Sequence, residues 1–249
     1  MVGDTELAQM RRLYYGLLVQ LLWREPAVET VDALRADIRE RASGASHLHP
    51  KLGEGWGVIA DYLDANEATQ VAEEFTTVFL GPFAAEVVAY ESQYLAGTLF
   101  MEPLADVREF LIKSGLEKKP DDFAEPEDVL AFELSVMEWL IGQQMEAETE
   151  DDENRWLDLQ AEFLKKHLLV WGPQCAQDMQ TAQSAKFYWG VGLLLQGLLD
   201  LENNWFQGFG PDKVETIEEA RRRYGKRKTF KGPVFDADAI KERTSNKEN

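Results

Sequence analysis

Apolar residues recur along most of the chain at steps of three and four, the spacing that lines one face of an α-helix. Leu7, Met10, Tyr14, Leu17, Leu18 and Leu21 hold such a face until Pro26 ends it. Val28, Val31, Leu34 and Ile38 begin a second helix, which Gly44 closes. Ser43 to Gly57, with its glycines and two histidines, reads as a loop before a short helix through Trp56, Ile59 and Leu63. A stronger helix carries Ala68, Val71, Ala72, Phe75, Val78 and Phe79 and stops at Gly81-Pro82. Leu104, Val107 and Leu111 mark another, ending at Gly115, and Leu116 to Ala124 forms the loop after it.

That loop runs into Glu125-Pro126-Glu127-Asp128, which reads as a helix start. Glu125 stands at the N-cap and Pro126 at the first helical position, where a missing N–H costs nothing, and the two acids face the positive end of the dipole. Leu130, Leu134, Met137, Leu140 and Ile141 then make a core-facing stripe. Glu146 to Glu153 is a run of acids and reads as a solvated loop. Trp156, Leu159, Phe163 and Val170 resume the helical period, Gly172-Pro173 breaks it, and Phe187 to Leu199 forms a last, very apolar helix. Only Phe83 to Gly97, containing Tyr90-Glu91-Ser92-Gln93-Tyr94, fits neither a helix nor a strand template. No strand pattern intervenes, so the expected fold is all-α, a single helical bundle over residues 1–205. Beyond Trp205 the composition turns to Gly, Pro and basic residues, and residues 206–249 read as a polar, basic extension.

The formal charge is −19, and the excess of acid lies in the first 205 residues, the extension being net basic. Such a body repels nucleic acid and anionic membrane and attracts cationic partners. No basic leader precedes the first apolar residues, and the longest apolar run is too short to span a bilayer, so the expected location is the cytoplasm. The single cysteine, Cys175, sits in an amphipathic helix and reads as a small buried hydrophobe. His47, His49 and His167 are the only histidines, and none has a Glu three residues before it, so no carboxylate-bridged metal site and no cofactor are expected. His167 reads as a helix-end cation or cap. There is no phosphate-cradling Gly-x4-Gly-Lys motif and no suggestion of a nucleophile triad. Glu127 and Asp128 point about 100° apart and are both favoured as ions, which suits binding cations better than shuttling protons. The pattern supports no enzyme.

Several of these stretches, taken together, resemble the TorD/DmsD/NarJ family of redox-enzyme maturation chaperones. They are Glu74 to Pro82, Tyr90-Glu91-Ser92-Gln93-Tyr94, Glu125 to Asp128 with Glu133, Leu134 and Met137, His167 to Trp171, and Phe187-Tyr188, in the family's order between about Leu7 and Trp205. The resemblance implies an all-helical cytosolic chaperone, not an enzyme. It implies binding of the twin-arginine signal peptide of a molybdenum-cofactor oxidoreductase, whose apo-form is retained until the cofactor is inserted. Such a leader joins a basic segment to an apolar one, so its receptor needs acids beside an apolar groove. Phe79, Tyr90, Glu91, Ser92, Tyr94, Glu125, Pro126, Glu127 and Asp128 are the candidate residues. Two features depart from the family: its usual Glu-Pro-Asp-His ends here in Glu127-Asp128, and its prolines before Tyr-Glu-Ser are replaced by Val88-Ala89. The site thereby loses a side chain that titrates near neutral pH.

Two other readings compete: a helical adaptor that binds a folded partner through its acidic surface, and a nucleic-acid binder acting through Arg221 to Lys228, which the charge of the body opposes. The sequence leaves open a monomer or a homodimer. Arg221-Arg222-Arg223-Tyr224-Gly225-Lys226 also has the spacing of a twin-arginine motif. It reads either as a tethered mimic of the ligand or as the end of a docked helix through Val214, Ile217, Ala220 and Tyr224.

Overall fold

The computed structural model describes residues 2–81, 84–116 and 124–226. Pro82, most of the loop before Ala124 and the tail beyond Lys226 lie outside the described residues. Among those described every named element is a helix, and the one β-type contact is an isolated antiparallel bridge between Tyr90 and Val129. The all-α expectation holds.

Two helices form the centre. Helix α8 (Leu130–Met145) is buried over most of its surface, from Leu130 to Leu134 and again at Val136, Met137, Leu140 and Ile141, with Trp139 on its open side. Helix α11 (Phe187–Trp205) is buried in the same way through Val191, Leu194, Leu195 and Leu198. A helix apolar on most of its faces is covered on most of them, and only Trp139 on α8 and Trp189 on α11 are large apolar side chains left exposed. Helices α1 (Val2–Leu22) and α9 (Glu150–Phe163) flank α8, whereas α4 (Pro50–Ala65) and α10 (Leu169–Thr181) flank α11. Helix α4 lies so close to α11 that a Cβ on Gly190 would stand 2.6 Å from Ile59 Cγ1 and 2.9 Å from the Gly55 carbonyl oxygen. The glycines let the two backbones meet there.

Several boundaries differ from the sequence reading. The second helix is divided into α2 (Val28–Arg35) and α3 (Ile38–Leu48), so Gly44 lies inside a helix. The expected loop from Ser43 to Gly57 is helix apart from His49, which caps α4 while Pro50 occupies its first turn. The acidic run does not stay a loop: Thr149 caps α9, and Glu150 to Glu153 lie in its first turn, where the dipole favours them. Pro173 does not break its helix. In a regular helix its ring would meet the carbonyl of Leu169, and a π turn, Leu164–Leu168, ends just before that residue.

Nor does the packing end at Trp205. Phe206 is wholly buried, and helix α12 (Ile217–Lys226) lies against α6 (Glu91–Ala96) with Ala220 and Tyr224 buried. Tyr224 donates to Asp106 at 2.7 Å, Arg221 Nε donates to the Tyr94 carbonyl at 2.8 Å, and Arg223 pairs with Glu215 at 2.9 Å. The docked helix is the arrangement present.

Candidate functional site

Helix α5 (Ala68–Phe75) widens into a π turn, Thr76–Leu80, and ends at Gly81, whose φ is 62°. A Cβ at that position would fall 2.0 Å from the Ala84 carbonyl oxygen, so only glycine permits the reversal. The returning chain donates Glu86 N–H and Val87 N–H to the Val78 carbonyl at 2.9 and 3.0 Å. It then runs beside the segment before α8: Glu91 N–H reaches the Asp128 carbonyl at 2.8 Å and Leu130 N–H the Ala89 carbonyl at 2.9 Å. Asp128 Oδ2 accepts Ser92 N–H at 3.0 Å and so caps α6 from another part of the chain.

This clasp moves the start of α8. Val129, held extended by its bridge to Tyr90, is the N-cap, and Leu130 is the first helical residue. Glu125 and Pro126 therefore precede the helix by a turn and do not cap it.

Beside the clasp lies a groove of about 390 Å³. Trp23, Phe79, Leu80, Val87, Tyr90 and Val129 are among its walls, and the exposed Glu25 and Glu125 stand on its rim together with Arg24. Phe79 is held edge-on against Tyr188 with ring centroids 5.0 Å apart, which leaves part of the ring to the groove. Tyr90 donates its hydroxyl to Glu125 Oε2 at 2.7 Å, and Thr76 donates to Glu25 Oε1 at 2.6 Å. Each bond fixes a carboxylate at the mouth. Burial, then the Glu125 hydrogen bond, raises the Tyr90 phenol above its usual range, so it remains a donor.

Of the nine candidates, Phe79, Tyr90 and Glu125 line this groove. Glu127 is paired with Arg108 at 2.7 Å. Glu91, Ser92, Pro126 and Asp128 are buried. Tyr94 is buried against Trp171 and donates to Asp178 at 2.7 Å. The structure thus divides the set into residues at the groove and residues that hold it. Trp23, Arg24, Glu25, Leu80 and Val129 are among the lining residues that sequence reasoning missed. Trp23-Arg24-Glu25-Pro26 carried a usable signal, an aromatic and an acid at the abrupt end of an apolar helix.

Behind the clasp is a buried polar cluster. His167 is not at a helix end but inside the second π turn, where its Nδ1 lies 3.0 Å from Glu91 Oε2. Trp171 donates its indole N–H to Glu133 Oε2 at 3.1 Å. Burial, and after it the charges of Glu91 and Asp128, push the Glu133 carboxyl well above the ordinary range. Burial also raises Glu91, against the opposing pull of His167. Glu91 Oε1 and Glu133 Oε1 meet no N–H or O–H of the protein. A proton on Glu133, whose carboxyl is held above the ordinary range, would supply the missing donor.

Among the described residues no group of three or more His, Cys, Asp and Glu is arranged to hold a metal ion, and no helix is long and apolar enough to cross a membrane. Cys175 is buried, and burial raises its thiol to about 12. It behaves as a small core side chain.

A family model described as the nitrate reductase delta subunit matches residues 46–177, a span that contains the clasp and the rim residue Glu125. The chain is 27% identical to the chaperone protein TorD of Aliivibrio fischeri over 212 residues, 82% of this chain and 98% of the relative. It is 30% identical to the TorD chaperone of Vibrio cholerae serotype O1 (strain M66-2) over 179 residues, 69% of this chain and 80% of that one. It is likewise 30% identical to the TorD chaperone of Aeromonas salmonicida over 159 residues, 64% and 71% of the two chains. With more than half of its length matched by the model and with TorD chaperones among its relatives over most of their length, the chain belongs to the nitrate reductase delta subunit family.

Proposed function

We propose that this protein is a cytoplasmic chaperone that binds the twin-arginine signal peptide of a molybdenum-cofactor oxidoreductase and retains the apo-enzyme until its cofactor is inserted. The observation that carries the reading is an apolar groove with two fixed carboxylates, Glu25 and Glu125, on its rim. A carboxylate is a planar pair of acceptors that a guanidinium can engage with two N–H groups, and the apolar walls suit the hydrophobic residues after the arginines. Phe79, Tyr90 and Glu125 contact the peptide. Glu91, Ser92, Pro126 and Asp128 keep those contacts in place, and Glu127, engaged by Arg108, sits beside them.

Calorimetry with a synthetic leader tests this. The peptide binds the wild-type protein, and binding weakens as salt is raised, since exposed charges are screened beyond a Debye length of about 8 Å at physiological ionic strength. Replacing both peptide arginines by lysine weakens it, as does Glu125→Lys. A protein that ignores the leader but binds the folded oxidoreductase is an adaptor instead, and the proposal falls.

A further inference from the structure

Behind the clasp three carboxyl groups, those of Glu91, Asp128 and Glu133, are buried together. Asp128 Oδ2 accepts Ser92 N–H at 3.0 Å, Glu133 Oε2 accepts the Trp171 indole N–H at 3.1 Å, and Glu91 Oε2 meets His167 Nδ1 at 3.0 Å. The second oxygen of each carboxyl has no partner. His167 is the only basic side chain paired with the cluster among the described residues, and Phe110 of α7 (Glu102–Ser114) and Phe163 pack on its ring. Tyr224 of α12 faces Glu91, and Cys175 of α10 faces Glu133 with Tyr94 and Asp178 beyond it; burial keeps the Tyr224 phenol and the Cys175 thiol protonated. Three buried charges against one imidazole are costly, so the cluster keeps a proton, and Glu133 is the carboxyl raised furthest.

The cluster and the mouth of the groove are built on the same two segments. Tyr90, whose hydroxyl fixes Glu125, directly precedes Glu91, and Asp128 lies just beyond Glu125 in the chain. Glu91 N–H, bonded to the Asp128 carbonyl at 2.8 Å, ties the two segments together. The charges of Glu125 and Asp128 both bear on the Tyr90 phenol, so mouth and cluster lie within one another's field. Through buried protein that field is little weakened by salt. A guanidinium at Glu125 therefore favours ionised carboxyls behind it, and a proton on those carboxyls disfavours the guanidinium to the same extent.

We infer that leader binding at the mouth expels a proton from the buried Glu91–Glu133 pair, so that peptide and proton exclude one another and the protein holds its leader more tightly as pH rises. The proton passes to the solvent, and the carboxylate it leaves is balanced by the arginines in front. This rests on the twin-arginine reading and adds the regulation of that site by pH.

Titration calorimetry of the full chain separates the inference from its premise. The probe is a synthetic peptide carrying the arginine pair and the apolar residues after it, acetylated at its N-terminus so that nothing in it titrates near neutral pH. At one pH, in two buffers of different ionisation enthalpy, the heats differ and report a net release of up to about one proton per peptide. Between pH 6 and pH 8 the affinity rises, by about tenfold per pH unit where a whole proton is released and by less where the pair is partly ionised. Glu133→Gln, close in shape and with a fixed N–H donor, binds the peptide with heats that no longer depend on the buffer. In infrared difference spectra the wild type loses a protonated-carboxyl C=O band on adding the peptide, and Glu133→Gln does not. Equal heats in the two buffers with the peptide bound overturn the coupling while the mouth stands, and this wild-type result decides the matter even if the variant fails to fold. Proton release that persists in a folded Glu133→Gln overturns the assignment to the pair. A peptide that binds in neither buffer overturns the twin-arginine reading beneath it.

Discussion

Asp128 Oδ2 lies 3.0 Å from the backbone nitrogen of Ser92 and accepts its N–H, a bond between residues 36 positions apart that is fully buried. It joins the Tyr-Glu-Ser stretch to the turn before α8, and Tyr90 and Glu125, on either side of the join, are the two groups that form the mouth of the groove.

Asp128→Ala leaves the Ser92 N–H buried without an acceptor, at a cost of about 1–3 kcal/mol. Asp128→Asn, which still offers an oxygen, costs less. Urea midpoints give the stability order, and titration with the leader shows weaker binding in Asp128→Ala because Tyr90 and Glu125 lose their common frame. Equal stability of all three proteins would sink the capping role.

The helical stripes were legible because they are local: α8 and α11 follow from the apolar residues they contain. The start of α8 was not. Glu125-Pro126-Glu127-Asp128 suits a first helical turn by propensity, but the bridge from Tyr90 holds Val129 extended and the turn is made outside the helix. His167 was misplaced for the same kind of reason, since its partner Glu91 is 76 residues away and the π turn that aims it inward has no local signature. Phe79, Tyr90 and Glu125 were read as site residues and do line the groove. Glu91 and Asp128 were read with them because a carboxylate next to an exposed one in sequence need not share its exposure.

The buried carboxyl pair makes stability depend on pH. Glu133 and Glu91 both have folded-state values above the ordinary 4.5, so the folded protein keeps protons that the unfolded chain has released. That stabilisation is fully present below about 4.5 and is lost as pH rises through the raised values. Glu133→Gln supplies the donor permanently, facing Glu91 and the neighbouring Asp128, His167 and Trp171. Melting temperatures between about pH 5 and pH 9 therefore fall less steeply in Glu133→Gln than in the wild type. Parallel curves would show that no proton is shared.

Arg11 anchors the N-terminal helix. Its guanidinium gives two N–H groups to Glu202 at 2.6 and 2.8 Å and one to Gln160 at 2.9 Å, under the face of Trp205. Both partners are almost wholly buried. Arg11→Met strands the Glu202 charge and costs about 3–5 kcal/mol, whereas Arg11→Met with Glu202→Leu recovers most of that loss, because the unpaired charge is gone. Chemical denaturation of the two variants decides it; a double variant no more stable than the single one would mean that the pair itself, not the stranded charge, sets the cost.

The last prediction concerns the arginines of α12. Arg221 is engaged by the body through the Tyr94 carbonyl and Arg223 through Asp106, with Glu215 just before α12 as a second partner of Arg223, and Tyr224 is sunk against α6. A tethered mimic of the leader would have to leave these partners to enter the groove. Tyr224→Ala removes a buried aromatic and costs about 3 kcal/mol or more. Tyr224→Phe loses only the hydroxyl bond to Asp106 and costs about 1 kcal/mol. At temperatures where the variants remain folded, leader affinity equals that of the wild type in both, since no competitor has been released or removed. If Tyr224→Ala instead bound the leader several-fold more weakly without losing structure, the freed arginines would be occupying the groove, and α12 would be a held-back competitor and not a structural helix.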